Sequence, residues 1–347
     1  MIKKSIQLFF FVSVLSLTLS IFYIYRQLIV VTGERTEKIS FEIKSGESAS
    51  TLAQRLKENS IIKSDFFFKL YLKHRGLDKK IQAGIFQIEP PFTIPRVAAA
   101  LASPENNERI ITIIPGWDLR DIAEYFIKER LVGSTSDFYA LVGKPANNLQ
   151  FDFVNQYDGE FYFFDDKSPS VSLEGYLAPE TYRIYKNEEL QSIVHRLIAQ
   201  TNKEFTPEMQ QEIQKRQLSV PEILTMASII EKEVKTPEDR KMVSDLFWRR
   251  VNAGMGLQAD STVHYLSGRE GDVFTKAKER QIDSLYNTYK YRGLPPGPIS
   301  NPSVSSIMAA LYPEKNDYWY FLTTHEGEVK YAKTLEEHNA NVARYLR

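Results

Sequence analysis

The sequence predicts an α+β protein carried behind a single N-terminal membrane helix. Three observations predict it. The segment "MIKKSIQLFFFVSVLSLTLSIFYIYRQ" has no charge from Ser5 to Tyr25. Short alternating segments such as "FEI" and "GIFQI" are interleaved with amphipathic, capped segments. A buried-looking helix, "SVPEILTMASIIEKEVKTPEDR", is followed at once by a second one. The 347 residues suffice for two or three domains. Lys and Arg (44) balance Asp and Glu (44), and no basic stripe is present, which argues against a nucleic-acid partner. With no Cys, thiol catalysis, disulfides and Cys-based metal sites are excluded. The five His show no metal-ligand spacing, so neither a metal site nor a cofactor is expected.

The uncharged run has about the 20 residues a helix needs to cross a bilayer. Tyr23, Tyr25 and Arg26 form an interfacial edge. The alternative is a cleaved signal peptide, but no A-x-A-like site follows. Lys3 and Lys4 are expected to stay inside, which puts the bulk of the chain outside the cytoplasm, in the periplasm or its equivalent. The expected division is a tip and membrane helix over 1–26 and a linker over 27–38.

In the next piece, 39–105, Phe41 and Ile43 alternate with polar residues as in a half-buried strand. Ser45-Gly46 is a turn, and Ser48 caps a helix carrying Leu52, Ala53 and Leu56. A second helix spans about Ser64 to Arg75, and "AGIFQIEPPFTI" returns as a strand that Pro90-Pro91 ends. Ile43, Gly46, Glu47, Ser48, Leu52, Ala53, Leu56, Ile61 and Phe67 give this piece a resemblance to a LysM module, a small α/β fold. The resemblance implies binding of N-acetylglucosamine-containing glycans, although these positions read as core and turn.

The same phrase returns over 106–172. "ITIIPGWDLRDIAEYFIKERLV" at 111–132 repeats the strand, Gly turn, polar residue and amphipathic helix of 41–62. Common local grammar is the alternative explanation. Residues 133–172 are aromatic and acidic without periodicity and read as an irregular connection.

Within the last piece, 173–347, the buried-looking helix has an S-x-x-E capping box, Ser219 with Glu222, and Pro221 in its first turn. It should run to about Lys235, with Thr236 capping a second helix that ends near Gly254. On a helical wheel Ile223, Leu224, Met226, Ala227, Ile229, Ile230 and Val234 share one face. Thr225, Ser228, Lys232 and Lys235 share the other, and Glu231 and Glu233 fall on opposite flanks of the apolar arc. A carboxylate there is costly unless paired, protonated or lining a cleft. Small Ala227 and Ser228 leave room beside Glu231, and burial with the helix C-terminus would favour a general acid. The bland alternative is a pair of surface glutamates bound to Lys232, Lys235 or Arg240.

Five further stretches stand in order: "LEGYLAPETYRI", "ASIIEKE", "GMGLQADSTVHY", "YNTYKYRGLPPGPISNPS" and "HNANVARYL". Together with the membrane segment and LysM-like piece they resemble the endolytic murein transglycosylases, the MltG or YceG-like family. The resemblance implies a mixed α+β catalytic domain, with Glu231 as the catalytic residue. Its departures are Ala259 and Ser261 in "LQADSTV" and Leu285 before "YNTY". Gln258, Asp260, Thr262, Asn287, Thr288, Tyr289 and Glu180 carry the amide, hydroxyl, carboxyl and ring groups that suit a sugar cleft. The Pro- and Gly-rich "GLPPGPISNP" would wall it. The implied reaction cuts the MurNAc-GlcNAc β-1,4 bond within nascent strands, leaves 1,6-anhydroMurNAc ends and terminates elongation, beside penicillin-binding synthases at the cytoplasmic membrane. Two other readings are open. A muramidase-type hydrolase needs a second carboxylate, with Asp260 or Glu180 as candidates. A non-catalytic peptidoglycan-binding scaffold needs only the LysM-like piece.

Overall fold

The computed structural model describes residues 2–29, 37–44, 46–103, 108–146, 153–186, 188–268 and 278–346. Two compact units divide the chain: 1–111 with 182–188, and 112–181 with 189–347.

The first unit starts with α1 (Ile2–Ile29), whose Phe9–Ile29 stretch is long and apolar enough to cross a membrane. The helix therefore takes in the first residues of the expected linker. There follow β1 (Ile39–Ile43), α2 (Ala49–Glu58), α3 (Asp65–Arg75) and β2 (Gly84–Ile88). The two strands pair antiparallel, Ile39 opposite Ile88 and Ile43 opposite Gly84. Alternation works as expected: Phe41, Ile43, Phe86 and Ile88 point into a core shared with Leu52, Leu56, Phe68 and Leu72. Ser48 and Ser64 cap the two helices by accepting from Thr51 N and Phe67 N. Gly46 takes φ +73°, as the turn requires, while Ser45 lies outside the described residues. The sequence reading missed α4 (Ile94–Ala102). Pro90-Pro91 ends the strand, but Thr93 then caps a new helix with Pro95 in its first turn, where the missing N–H costs nothing.

The repeated phrase is real at the level of local structure. β3 (Glu108–Thr112), Gly116 at φ +83°, Asp118 as N-cap and α5 (Leu119–Lys128) reproduce the course of β1, Gly46, Ser48 and α2. The likeness runs further than the sequence reading took it. Both helices end on a left-handed residue, Ser60 (φ 57°) and Arg130 (φ 55°). Ile61 N then bonds Leu56 O, and Leu131 N bonds Phe126 O. Each is followed by a Ser-capped helix, α3 and α6 (Thr135–Val142), and later by a strand, β2 and β4 (Thr181–Tyr185). β4 pairs with β3.

In the second unit α6 corrects part of the segment read as irregular. The rest of that segment supplies core: Tyr157, Phe161, Phe163 and Phe164 are buried, and the last two pack against Tyr176. α7 (Leu190–Glu204) and α8 (Pro207–Lys215) lead to α9 (Val220–Glu233). α10 (Pro237–Asn252), α11 (Asp260–Ser267) and α12 (Val304–Leu311) pack around α9. A hairpin of β5 (Tyr320–Thr323) and β6 (Val329–Ala332) and the final α13 (Leu335–Tyr345) complete the unit.

Burial at the end of α7 pushes the Glu204 carboxyl up to about 7, and the charge of Glu180 adds to the effect. Its Oε2 has no hydrogen-bond partner among the described residues. A raised carboxyl keeps its proton in the folded state after the unfolded chain has lost it. Stability should therefore fall as pH rises from about 4.5 to about 7, by on the order of 2 kcal/mol. Glu204→Gln should flatten that slope in urea titrations at several pH values. An unchanged slope would show that Glu204 does not titrate in that range.

Candidate active site

α9 begins with the expected capping box: Ser219 Oγ accepts from Glu222 N, and Glu222 Oε2 accepts from Ser219 N at 2.8 Å. From Val220 to Ile230, apart from Pro221 and Glu222, every residue of α9 is buried. This corrects the two-faced wheel. Thr225 and Ser228 are as buried as the apolar residues, because their hydroxyls return to the helix itself: Thr225 Oγ1 donates to Pro221 O at 2.7 Å and Ser228 Oγ to Thr225 O at 2.8 Å. Nor is the room beside Ser228 open. The Pro-rich loop fills it, with Ile299 N donating to Ser228 Oγ at 3.0 Å and Ser300 Oγ to Ser228 O at 3.3 Å.

At the C-terminal end of α9 the two glutamates diverge. Glu231 Oε1 accepts from Arg240 Nη2 at 2.8 Å. Its Oε2 accepts from Ser303 N at 3.0 Å and from Ser303 Oγ at 2.5 Å. Arg240 Nη1 also donates to Ser303 Oγ at 3.2 Å, so the three groups close a ring. Arg240 stands in the first turn of α10, and Ser303 is the N-cap of α12, whose positive end faces the carboxylate. The bland alternative named Arg240 as a partner, but this is no surface pair: the Glu231 side chain is 7% exposed and that of Arg240 13%. Ser303, the last residue of the quoted loop motif, was legible as an N-cap signal but not as a carboxylate ligand.

Glu233 turns the other way, to α11. Its Oε1 accepts from Ser261 Oγ at 2.7 Å and Ser261 N at 3.3 Å. Burial holds this carboxyl above its usual range, the Ser261 bonds oppose it, and the Asp260 charge adds to the rise.

The Gly116 turn closes the site beside Glu231. A Cβ on Gly116 would lie 3.7 Å from both Glu231 Cγ and Lys232 Cδ. Lys232 Nζ donates to Gly116 O at 3.2 Å. Asn301 holds the turn: Gly116 N donates to Asn301 O, Asn301 N to Trp117 O, and Asn301 Nδ2 to Trp117 O at 3.0 Å. Asn301 Oδ1 accepts from Leu177 N at 2.9 Å. Behind it Glu174 is fully buried and accepts from Leu119 N and the Tyr265 hydroxyl, both at 3.1 Å. Burial first, and the Asp118 charge second, hold the Glu174 carboxyl well above its usual range.

The remaining sequence-selected residues form a second group. Asp260 opens α11 and accepts from the Tyr289 hydroxyl at 2.7 Å. Thr262 and Thr288 are buried and share a 2.9 Å hydroxyl contact, with Thr288 Oγ1 accepting from Ala259 N. Asn287 is buried and donates to Arg280 O and Ile282 O. These groups tie one loop to another. Gln258 differs: its side chain is exposed, its φ is +52°, and its N–H bonds Thr288 O. Such a strained, non-glycine backbone is common at binding sites. Glu180 is exposed on the approach to β4 and close enough to Glu204 to raise it. Among the described residues no three His, Asp or Glu side chains form a metal-ligand group.

Two glycines separate backbone strain from steric clash. Both take left-handed φ, +83° at Gly116 and +84° at Gly175. Only at Gly175 would a Cβ collide, 2.4 Å from Pro298 Cβ. Gly116→Ala should cost about 1–2 kcal/mol, the backbone term alone. Gly175→Ala should cost a further 1–3 kcal/mol or so from overpacking. Equal losses in chemical denaturation would show that the Pro298 loop adapts.

The YceG-like family model matches residues 41–344. The endolytic murein transglycosylase of Bacillus subtilis is 35% identical over 329 residues, covering 93% of this chain and 90% of that protein. The protein of the same name from Streptococcus pneumoniae is 27% identical over 341 residues, and the match spans 61% of its length. A yceG-like protein from Listeria monocytogenes with a crystal structure superposes with a TM-score of 0.57 at 32% identity, covering 88% of this chain and 99% of that one. A family match that runs from β1 to α13, with the ordered motifs lying on the α9, α11 and α12 assembly, shows that this chain belongs to the YceG-like family.

Proposed function

We propose that the chain is a membrane-anchored endolytic murein transglycosylase in which Glu231 is the acid-base group. The observation that carries this reading is the Glu231 carboxyl itself. It stands at the end of a helix buried on every side, oriented by Arg240 and Ser303 beside the Gly116 turn.

One carboxyl group suffices for the reaction because no water enters it. Glu231 delivers its proton to the oxygen between MurNAc C1 and the neighbouring sugar, and that C1–O bond breaks. The carboxylate then takes the proton of the MurNAc C6 hydroxyl, whose oxygen bonds C1 and closes the 1,6-anhydro ring. The intramolecular hydroxyl replaces a bimolecular attack, where proximity helps most. A hydrolase would need a second carboxylate near the first. Asp260, the notable candidate, belongs with Tyr289 and Glu233. Gln258, Asp260 and Tyr289 contact the glycan in this reading, Glu180 lies further along the strand, and Thr262, Asn287 and Thr288 hold the wall.

The first module is a LysM-like glycan-binding unit that adds affinity and placement. Its strand–helix–helix–strand order supports this, as does the Gly46, Ser48 and Leu52 pattern. α1 anchors the protein in the cytoplasmic membrane with the bulk outside, next to penicillin-binding synthases whose nascent strands it releases.

Glu231→Gln keeps the shape but cannot move the proton, and its amide nitrogen, which only donates, gives up the contact with either Arg240 or Ser303 N. Turnover of purified glycan strands should fall about 10²–10⁴-fold with folding unchanged. Glu233→Gln is the comparison, and there the cost should fall on the Ser261 contact. Mass analysis of the ends tests the reaction type, because hydrolysis adds water and transglycosylation does not. A folded Glu231→Gln protein that still forms anhydro ends at near the parent rate, while Glu233→Gln does not, would move the role along the helix. For topology, protease added to intact spheroplasts should degrade the bulk of the chain; full protection would overturn the orientation.

A further inference from the structure

α3 is apolar on three of its sides. Phe68 and Leu72 are buried in the module core. Phe67 and Tyr71, one position earlier on the helix, are half-buried at its margin, where Leu28 of α1 also packs. The ring of Phe67 meets the ring of Tyr23 at 6.0 Å. α1 also packs on α4, so two helices of the module touch it. The third side, one further position earlier, carries Phe66 and Leu70. They are 62% and 52% exposed, an i, i+4 pair on one face. Among the described residues, nothing covers them. A folded soluble module rarely leaves two large apolar side chains stacked and bare on a helix whose other apolar sides are already satisfied.

What lies next to that face follows from α1. Tyr23 is inside the apolar span, nearly two turns before Ile29. With Tyr25 and Arg26 it marks the depth at which aromatic and basic residues meet the lipid headgroups. Phe67 touches Tyr23, and the ring of Phe66 stands 5.4 Å from that of Phe67. The start of α3 therefore sits at the level of the headgroups, beside the membrane helix. The polar flanks suit the same surface. Lys63 and Lys73 are exposed, and Lys69, 3.7 Å from Asp65, is half-exposed. Long basic side chains around an apolar pair can reach up to phosphates while the apolar pair goes down.

We propose that the Phe66–Leu70 face of α3 inserts into the outer headgroup region of the bilayer that α1 spans, a second membrane contact for this chain. It fixes the first module against the membrane instead of letting it swing on a single helix. The inference rests on the reading of α1 as a membrane span.

The absence of Cys makes the test direct, because any introduced thiol is unique. Full-length Leu70→Cys, Leu17→Cys and Glu58→Cys proteins are spin-labelled and reconstituted in vesicles of phosphatidylethanolamine and phosphatidylglycerol. Relaxation by oxygen, which partitions into lipid, is compared with relaxation by a water-soluble nickel chelate. The label at position 17 should favour oxygen strongly, the one at 58 should favour nickel, and the one at 70 should favour oxygen at a shallower depth. Adding Phe66→Glu to the Leu70→Cys protein should turn position 70 towards nickel and leave position 17 of the anchor unchanged. If position 17 reports lipid and position 70 reports water, the second contact is wrong and the anchor stands. If position 17 also reports water, the anchor itself fails. A label at 70 shielded from both reagents would mean that protein covers the face, and would overturn the proposal.

Discussion

The structure around the site depends on a helix that has no solvent face from Ile223 to Ile230. α9 is enclosed by α10, α11, α12 and the Pro-rich loop, and its two internal hydroxyls are satisfied within the helix or by that loop. A buried helix of this kind is rigid because moving it would expose apolar surface on several sides at once. Its end is therefore a fixed platform. Glu231 emerges there, and its position inherits the rigidity of the core without any contribution from a flexible loop.

A carboxylate at a helix C-terminus faces the negative end of its own macrodipole. The surrounding elements supply the opposite charge: Arg240 from the start of α10 and the N-cap of α12. Ser303 serves two purposes, accepting from Ser306 N as a cap and donating to Glu231. Asn301, two residues before it, ties the Gly116 turn to the same loop. Glu174 works behind that knot. It is sealed from water among donors from Leu119 and Tyr265, and this tolerated burial of a carboxyl shows how tightly the segment around 174 is built into the wall. Residues far apart in the chain thus converge on one turn beside one carboxyl group.

Local grammar was the most legible part. Ser48, Ser219 and Thr236 all cap the helices that their spacing announced, because a cap needs only a side chain and the next three residues. The repeated strand–turn–helix phrase was legible for the same reason, down to the left-handed glycines at 46 and 116. α4 and α6 escaped because a proline pair and an aromatic, aperiodic segment hid them. The aromatic run around 161–164 has no period because it forms a compact turn of core rings instead of a helix face or a strand.

By itself, the sequence determined the apolar span, the order of capped elements and the ordered motifs that assign the family. Periodicity and capping act over a few residues, so they can be read without knowing the fold. Only the tertiary structure decided that Thr225 and Ser228 are core, that Thr262, Asn287 and Thr288 bind loop to loop, and that Glu231 and Glu233 part company, one to Arg240 and Ser303 and the other to Ser261. Those outcomes depend on which distant backbone or hydroxyl arrives at each side chain. A wheel drawn from one helix has two flanks of equal standing, and only the elements packed against them hand one carboxyl to an arginine and a helix N-cap and the other to a serine of α11.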